Sequence, residues 1–336
     1  MDIEQIRQMA KEKTSLLLLF GTLALFLITN TVFRDNPSLS FIPILFGILI
    51  FVEIVALVGL EVKEGAHEHG WKHEIVDTVV ALAVAVVIWY GASFLLNTSA
   101  PISGVVSCSM LPNLQRGDFI IVQGAPPNSY HISMTKDELA ALNTPAQITY
   151  GDQQKQNITI PGSIFVYCNA QRTADVCQSF LDAPENFTEK IGPFTYHYGK
   201  CPISFSSGQS GYQPCVESIT FHGTDYKTNF SNDVIVYQPN KGDYYSLVGD
   251  IVHRAMFSIN VDNQTYYLTR GDNNPILDVQ AYEYANSLAN HPVPASNVRG
   301  KVIFRIPILG YFKLFIMGYF QEDPQCKTQL SFDHIS

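Results

Sequence analysis

Three long apolar runs, with no more than one charged residue each, fill most of the first hundred residues, and they constrain the chain more than anything else in it. They cover 14–33, 39–60 and 75–96. Each is close to the roughly 20 residues that a helix needs to cross a bilayer. The expectation is a membrane domain of three transmembrane helices over 14–96, behind a cytoplasmic tail at 1–13. No small-residue cleavage pattern follows the first run and two more runs come after it, so it reads as an anchor and not as a removable signal peptide. Basic residues set the orientation. The tail carries Arg7, Lys11 and Lys13, the first loop only Arg34, and the second loop Lys63 and Lys72. That excess places the tail and the second loop inside, and everything after residue 96 outside the cell membrane.

The 336 residues leave 97–320 for an extracytoplasmic domain and 321–336 for a polar tail that carries little information. Asn-X-Ser/Thr triplets begin at Asn97, Asn157, Asn186, Asn229 and Asn263, all on the outer side, as glycosylation of an outward-facing domain would require. A formal net charge of -9 without any basic run argues against a nucleic-acid partner. Cys168, Cys177, Cys201 and Cys215 cluster in one segment, and an oxidising exterior would let them form disulfides in any of three pairings. No C-x-x-C spacing suggests zinc. Cys108 and Cys326 stand apart and read as free thiols.

The outer segment reads as mainly β. "DFIIVQG" (118–124) and "DVIVYQP" (233–239) are strands, and 249–274 forms a hairpin with "VDNQ" at its turn. "MTKDELAALN" (134–143) is a short helix capped by Thr135, with Glu138 in capping-box register. Residues 157–232, rich in turn formers and cysteine, read as a decorative or partner-binding insertion with strand candidates "SIFVYCN" and "ESITFHG". The stretch 278–290 alone shows a helical period. "VIFRIPILGYFKLFIMGYF" (302–320) is interrupted by Arg305, Pro307 and Lys313, so it reads as a returning strand or an interfacial segment and not as a fourth span.

A serine hydroxyl needs a general base within hydrogen-bond reach, and that base needs a group to orient it. The chain offers Ser109 in "SCSMLPNLQRGD", His253 in "IVHR", and Asp272 and Asp278 in "TRGDNNPILD". These three segments, followed by "GKVIFRIPILGY", resemble in content and order the boxes of a type I signal peptidase of the archaeal and endoplasmic-reticulum kind. The motifs cover about 60 residues of the chain. The resemblance implies a signal-peptidase-like β fold and a membrane-bound serine endopeptidase that removes signal peptides from secretory preproteins. It implies no metal or other cofactor, and it leaves room for further membrane subunits.

The resemblance makes Ser109 the nucleophile and His253 the base. Asp278 is placed to orient the histidine, while Asp272 supports the site or takes that orienting role itself. The Ser109 N–H and the Ser107 hydroxyl would form the oxyanion hole, Met110 and Pro112 would fix the turn and line the substrate groove, and Gly117-Asp118 would be structural. Two departures stand out: the long segment between Asp118 and His253, and three expected spans where the family often has one or two. Two other classes remain open on residue type, a non-catalytic surface glycoprotein and a Ser/Lys peptidase. "HEHGWKH" (67–73) lacks metal-site spacing and reads as an exposed loop. Glu53, inside the second run, reads as a helix–helix hydrogen-bonding group or a protonated acid.

Overall fold

The structure, a computed structural model, describes residues 3–32, 39, 41–68, 70–151, 155–319 and 323–331. Two compact units divide the chain, a helical one and a larger β-rich one.

The helical unit holds α1 (Ile3–Val32), α2 (Phe41–Glu68) and α3 (Trp71–Leu95). By length and composition, two stretches can cross a membrane: 23 residues of α2, Leu45–His67, and the 25 residues of α3. The expectation of three spans meets a limit in α1, whose apolar stretch Leu17–Thr29 is shorter. At 1.5 Å per residue it reaches about 20 Å, against the ~30 Å of a hydrocarbon core. No residue of α3 is buried, and Val79, Leu82, Ile88 and Phe94 are all exposed. A helix that is apolar on every side is stable only where lipid or protein covers it. Glu53 accepts a hydrogen bond from Thr22 Oγ1 of α1 at 3.0 Å, the helix–helix role expected of it.

In the β-rich unit, chain order runs β1 (Ile102–Gly104), β2 (Phe119–Gln123), β3 (Tyr130–Ser133), α4 (Lys136–Ala141), β4 (Ala146–Tyr150) and β5 (Gln156–Ile160). Then come α5 (Ile164–Ala170), α6 (Asp175–Asp182), β6 (Phe187–Ile191), β7 (Phe194–Phe205), β8 (Ser210–Phe221) and β9 (Thr224–Lys227). The remaining strands are β10 (Val234–Tyr237), β11 (Ile251–Val261), β12 (Gln264–Arg270), β13 (Tyr282–Glu283), β14 (Leu288–Ala289), β15 (Val293–Pro294) and β16 (Val298–Ile306). A short α7 (Tyr311–Ile316) belongs to the helical unit, where the Phe315 ring meets Phe26 edge-on at 6.3 Å, and β17 (Thr328–Leu330) returns to the β unit.

Two sheets result. The first, curled and antiparallel except for β3 beside β11, has the order β1-β2-β16-β10-β11-β12-β15. The second has the order β5-β4-β6-β7-β8-β9, with β17 added to β7. Local sequence accounts for much of this. Asp262 and Asn263 adopt positive φ of 47° and 65° at the β11–β12 turn, the conformation a two-residue hairpin demands. Thr135 and Glu138 form the expected capping box.

Several expectations are overturned. "SIFVYCN" is not a strand but the helix α5, capped by Ser163, with Ile164 and Cys168 four residues apart on its buried face. The helical period at 278–290 gives no helix: a 3₁₀ turn at Asp278–Gln280 and the small β13–β14 hairpin occupy it. Residues 302–320 split between β16 and α7. Cys108 and Cys326 are not free but joined in a disulfide, beside Cys168–Cys177 and Cys201–Cys215. The supposedly uninformative tail therefore carries a cross-link and a strand, because β17 hydrogen-bonds along Ile203–Phe205 and brings Cys326 back to Cys108.

The insertion is not a separate decoration. Phe180, Phe187, Phe194, Tyr196 and Ile219 share one apolar core with Phe257, Ile259 and Leu268 of the first sheet and with Leu277 of the loop after β12. Within this core Glu189 of β6 is fully buried. Its carboxyl accepts from Gln280 Nε2 at 2.6 Å, Ile164 N–H at 2.8 Å and the Tyr198 hydroxyl at 2.9 Å. Burial pushes its pKa up from 4.5 to about 7, and the three donors pull the other way. A carboxyl raised in the folded state stabilises fully below its unfolded pKa, and that contribution is lost as pH rises through the folded value. The thermal-midpoint advantage of the wild type over Glu189→Gln is therefore expected to shrink between pH 4.5 and about 7 and stay level above it. Melting curves of both proteins across that range check this.

Candidate active site

Ser109 lies in the turn between β1 and β2. Val105 N–H donates to Asp118 O and Gly117 N–H to Val105 O, both at 2.9 Å, which closes the loop. Gly117 sits at φ 91°, a conformation that side chains resist. Cys108, Met110 and Leu114 are buried, and the last two pack with Val105, Ile120, Val122 and Val236 beneath the turn. Met110, at 1% exposure, is therefore a core anchor and cannot line a substrate groove as expected. Pro112 is exposed and follows a cis peptide bond. Asp118 is structural as expected: its carboxylate accepts from Gln115 N–H at 2.7 Å and pairs with Arg305 at 2.6 Å.

His253 comes from β11 and Asp278 from the 3₁₀ turn after β12. His253 Nε2 lies 3.0 Å from Ser109 Oγ, and His253 Nδ1 lies 2.6 Å from Asp278 Oδ2. With Nδ1–H donating to the carboxylate, Nε2 is left as the acceptor facing the serine hydroxyl. All three side chains are buried, at 8%, 5% and 6% exposure. Ser107 Oγ is exposed and 3.1 Å from Ser109 Oγ. The Ser109 N–H has no acceptor among the described residues.

The structure separates the two aspartates. Asp278 orients the histidine. Asp272 instead receives Arg254 Nε at 2.7 Å and Nη2 at 2.6 Å, and Asn113 Nδ2 at 2.7 Å. Arg254 further donates to the Phe230 and Asn232 carbonyls. Asp272 thus ties the residue after His253 to the turn after Ser109.

Other residues hold the site without having been singled out in the sequence. Asp278 Oδ2 also accepts from Thr269 Oγ1 at 2.6 Å and from the Tyr237 hydroxyl at 3.0 Å. Burial, then the charge of Asp278, hold the Tyr237 pKa well above 10, so its hydroxyl remains a donor. Asn273 N–H donates to Ser109 O at 2.7 Å and its side chain to Cys108 O at 3.1 Å and Thr328 O at 2.8 Å. A Cβ on Gly271 would come within 2.6 Å of Ser109 O, so only glycine permits this approach. Thr269, Gly271 and Asn273 all lie in or beside "TRGDNNPILD", but nothing in residue type marks Tyr237.

Among the described residues, one group of potential metal ligands stands close together: His73, Glu74 and Asp77, within 4.8 Å of one another. They lie in the other unit, at the start of α3, with His73 and Asp77 exposed.

Comparison with known proteins adds no identity: neither the protein-family models nor the curated proteins searched match this chain. The arrangement itself has a defined chemical capacity. A hydroxyl facing an imidazole, with a carboxylate behind it, can transfer a proton and attack an acyl carbon.

Arg254→Leu is expected to destabilise the protein by about 3–5 kcal/mol, because it leaves the buried Asp272 carboxylate without its cation. Denaturant titration of the purified variant against wild type measures this.

Proposed function

We propose that the protein is a serine hydrolase using Ser109, His253 and Asp278. More specifically, we propose a membrane-bound signal peptidase that removes signal peptides from secretory preproteins outside the cytoplasmic membrane, in the manner of the type I enzymes its motifs resemble. The single observation that carries the reading is the hydrogen-bonded line from Ser109 through His253 to Asp278.

The chemistry follows from that line. His253 Nε2 takes the Ser109 proton as the hydroxyl attacks the scissile carbonyl, and Asp278 stabilises the imidazolium that forms. The Ser109 N–H, together with the Ser107 hydroxyl 3.1 Å from the nucleophile, would receive the developing oxyanion. His253 then protonates the leaving amine, and water activated by the same imidazole hydrolyses the acyl-enzyme. Among the described residues, β1 pairs only with β2, and its other edge is open to an extended peptide that adds as a strand.

Purified full-length protein is expected to cleave a model preprotein, and Ser109→Ala and His253→Ala are each expected to abolish cleavage while expression and membrane insertion persist. Ser107→Ala should lower kcat by about 100-fold, the usual effect of an oxyanion donor. Full activity of Ser109→Ala sinks the reading. Activity retained in His253→Ala but lost on changing a lysine would return the base to a Ser/Lys mechanism. A wild-type chain that cleaves nothing would instead be a non-catalytic surface protein.

A further inference from the structure

Buried hydrogen bonds from Gln280 to Glu189 and Tyr198 join the inserted sheet to the turn that carries Asp278. Gln280 is fully buried and lies two residues after Asp278 in the same 3₁₀ turn. Its Oε1 accepts the Leu277 N–H at 3.0 Å, which ties Gln280 back to the residue before Asp278 across the turn. Its Nε2 donates to Glu189 Oε1 at 2.6 Å. The carboxyl therefore fixes the orientation of the amide: were Gln280 reversed, its NH₂ would face the Leu277 N–H and its oxygen would face the carboxyl. Glu189 is in turn held by Ile164 N–H, at the start of a helix cross-linked through Cys168–Cys177, and by Tyr198. A buried acid and amide cost more than an apolar pair of the same volume, and such groups contribute orientation more readily than stability.

We propose that Glu189, supplied by the inserted β-sheet, is a positioning residue that acts through Gln280 to hold Asp278 against His253. The insertion then completes the active site. The inference rests on the Ser109–His253–Asp278 reading for its chemistry.

The experiment compares wild type, Glu189→Gln, Gln280→Met, the double variant and Phe221→Leu, an apolar core change in the same sheet where Phe221 pairs with Phe194. Each is assayed for preprotein cleavage, for the Ser109-dependent hydrolysis of p-nitrophenyl acetate, and for thermal stability. Displacement of a reacting group from its working geometry costs up to about 100-fold. Glu189→Gln and Gln280→Met should each lower kcat by about 10- to 100-fold with KM within about twofold of wild type. The double variant should fall no further than the weaker single, because the two residues act along one path. Phe221→Leu should lose stability and keep kcat.

A kcat within about twofold of wild type in folded Glu189→Gln overturns the proposal. So does a kcat loss in Phe221→Leu that tracks its loss of stability. If Gln280→Met does not fold, Glu189→Gln decides alone. Wild type that hydrolyses the ester through Ser109 but leaves the preprotein intact sinks only the signal-peptidase reading, and the ester rates of the variants still decide the role of Glu189. Neither activity in wild type overturns both.

Discussion

The hydrogen bond from Asn273 N–H to the carbonyl of Ser109 is the contact on which the site depends. It joins two segments far apart in sequence, the turn after β1 and the loop after β12. Gly271 makes room for it, since a side chain there would collide with the same carbonyl. The Asn273 side chain extends the grip to Cys108 O and to β17, while its Oδ1 accepts Leu330 N–H at 2.7 Å. One asparagine therefore clamps the Ser109 turn and the C-terminal segment together, and the Cys108–Cys326 disulfide secures the same junction covalently. The proposed role of Ser109 as a nucleophile requires its position to be held to within a fraction of an ångström, and several independent restraints on one short turn meet that requirement.

The second sheet reinforces this frame from the other side. Val216 N–H of β8 donates to Pro275 O at 2.8 Å, and Arg270 Nη1 donates to Val216 O at 2.9 Å. Burial pulls the Arg270 guanidinium down to about 10, with Asp272 and Asp278 opposing that shift. It remains a cation near neutral pH and lends its charge to both aspartates. The loop that supplies Asp272, Asn273 and Asp278 is thus framed by both sheets over a shared core.

Much of the fold was legible locally. The β10 and β2 strands, the β11–β12 hairpin and the Thr135 cap follow from alternation, turn chemistry and capping residues within a few positions of one another. The failures share a physical cause. "SIFVYCN" has the β-branched and aromatic content of a strand, yet Ser163 caps it and Glu189, distant in sequence, accepts its Ile164 N–H, so tertiary contacts favour a helix. Met110 lies beside Ser109 in sequence, but whether it faces core or groove depends on how the turn folds over Ile120 and Val236.

The sequence by itself determined that apolar helices precede a mainly β domain, and that a serine, a histidine and two aspartates stand in contexts able to support nucleophilic chemistry. Their order and local motifs are properties of the chain. Only the tertiary structure decided between Asp278 and Asp272, because that choice depends on which carboxylate lies 2.6 Å from the imidazole and which is taken by Arg254. The same holds for the pairing of Cys108 with Cys326 and for the reach of Glu189 to Gln280. These partners are 218 and 91 residues apart, and proximity over such distances is set by sheet pairing and core packing, to which local pattern is blind.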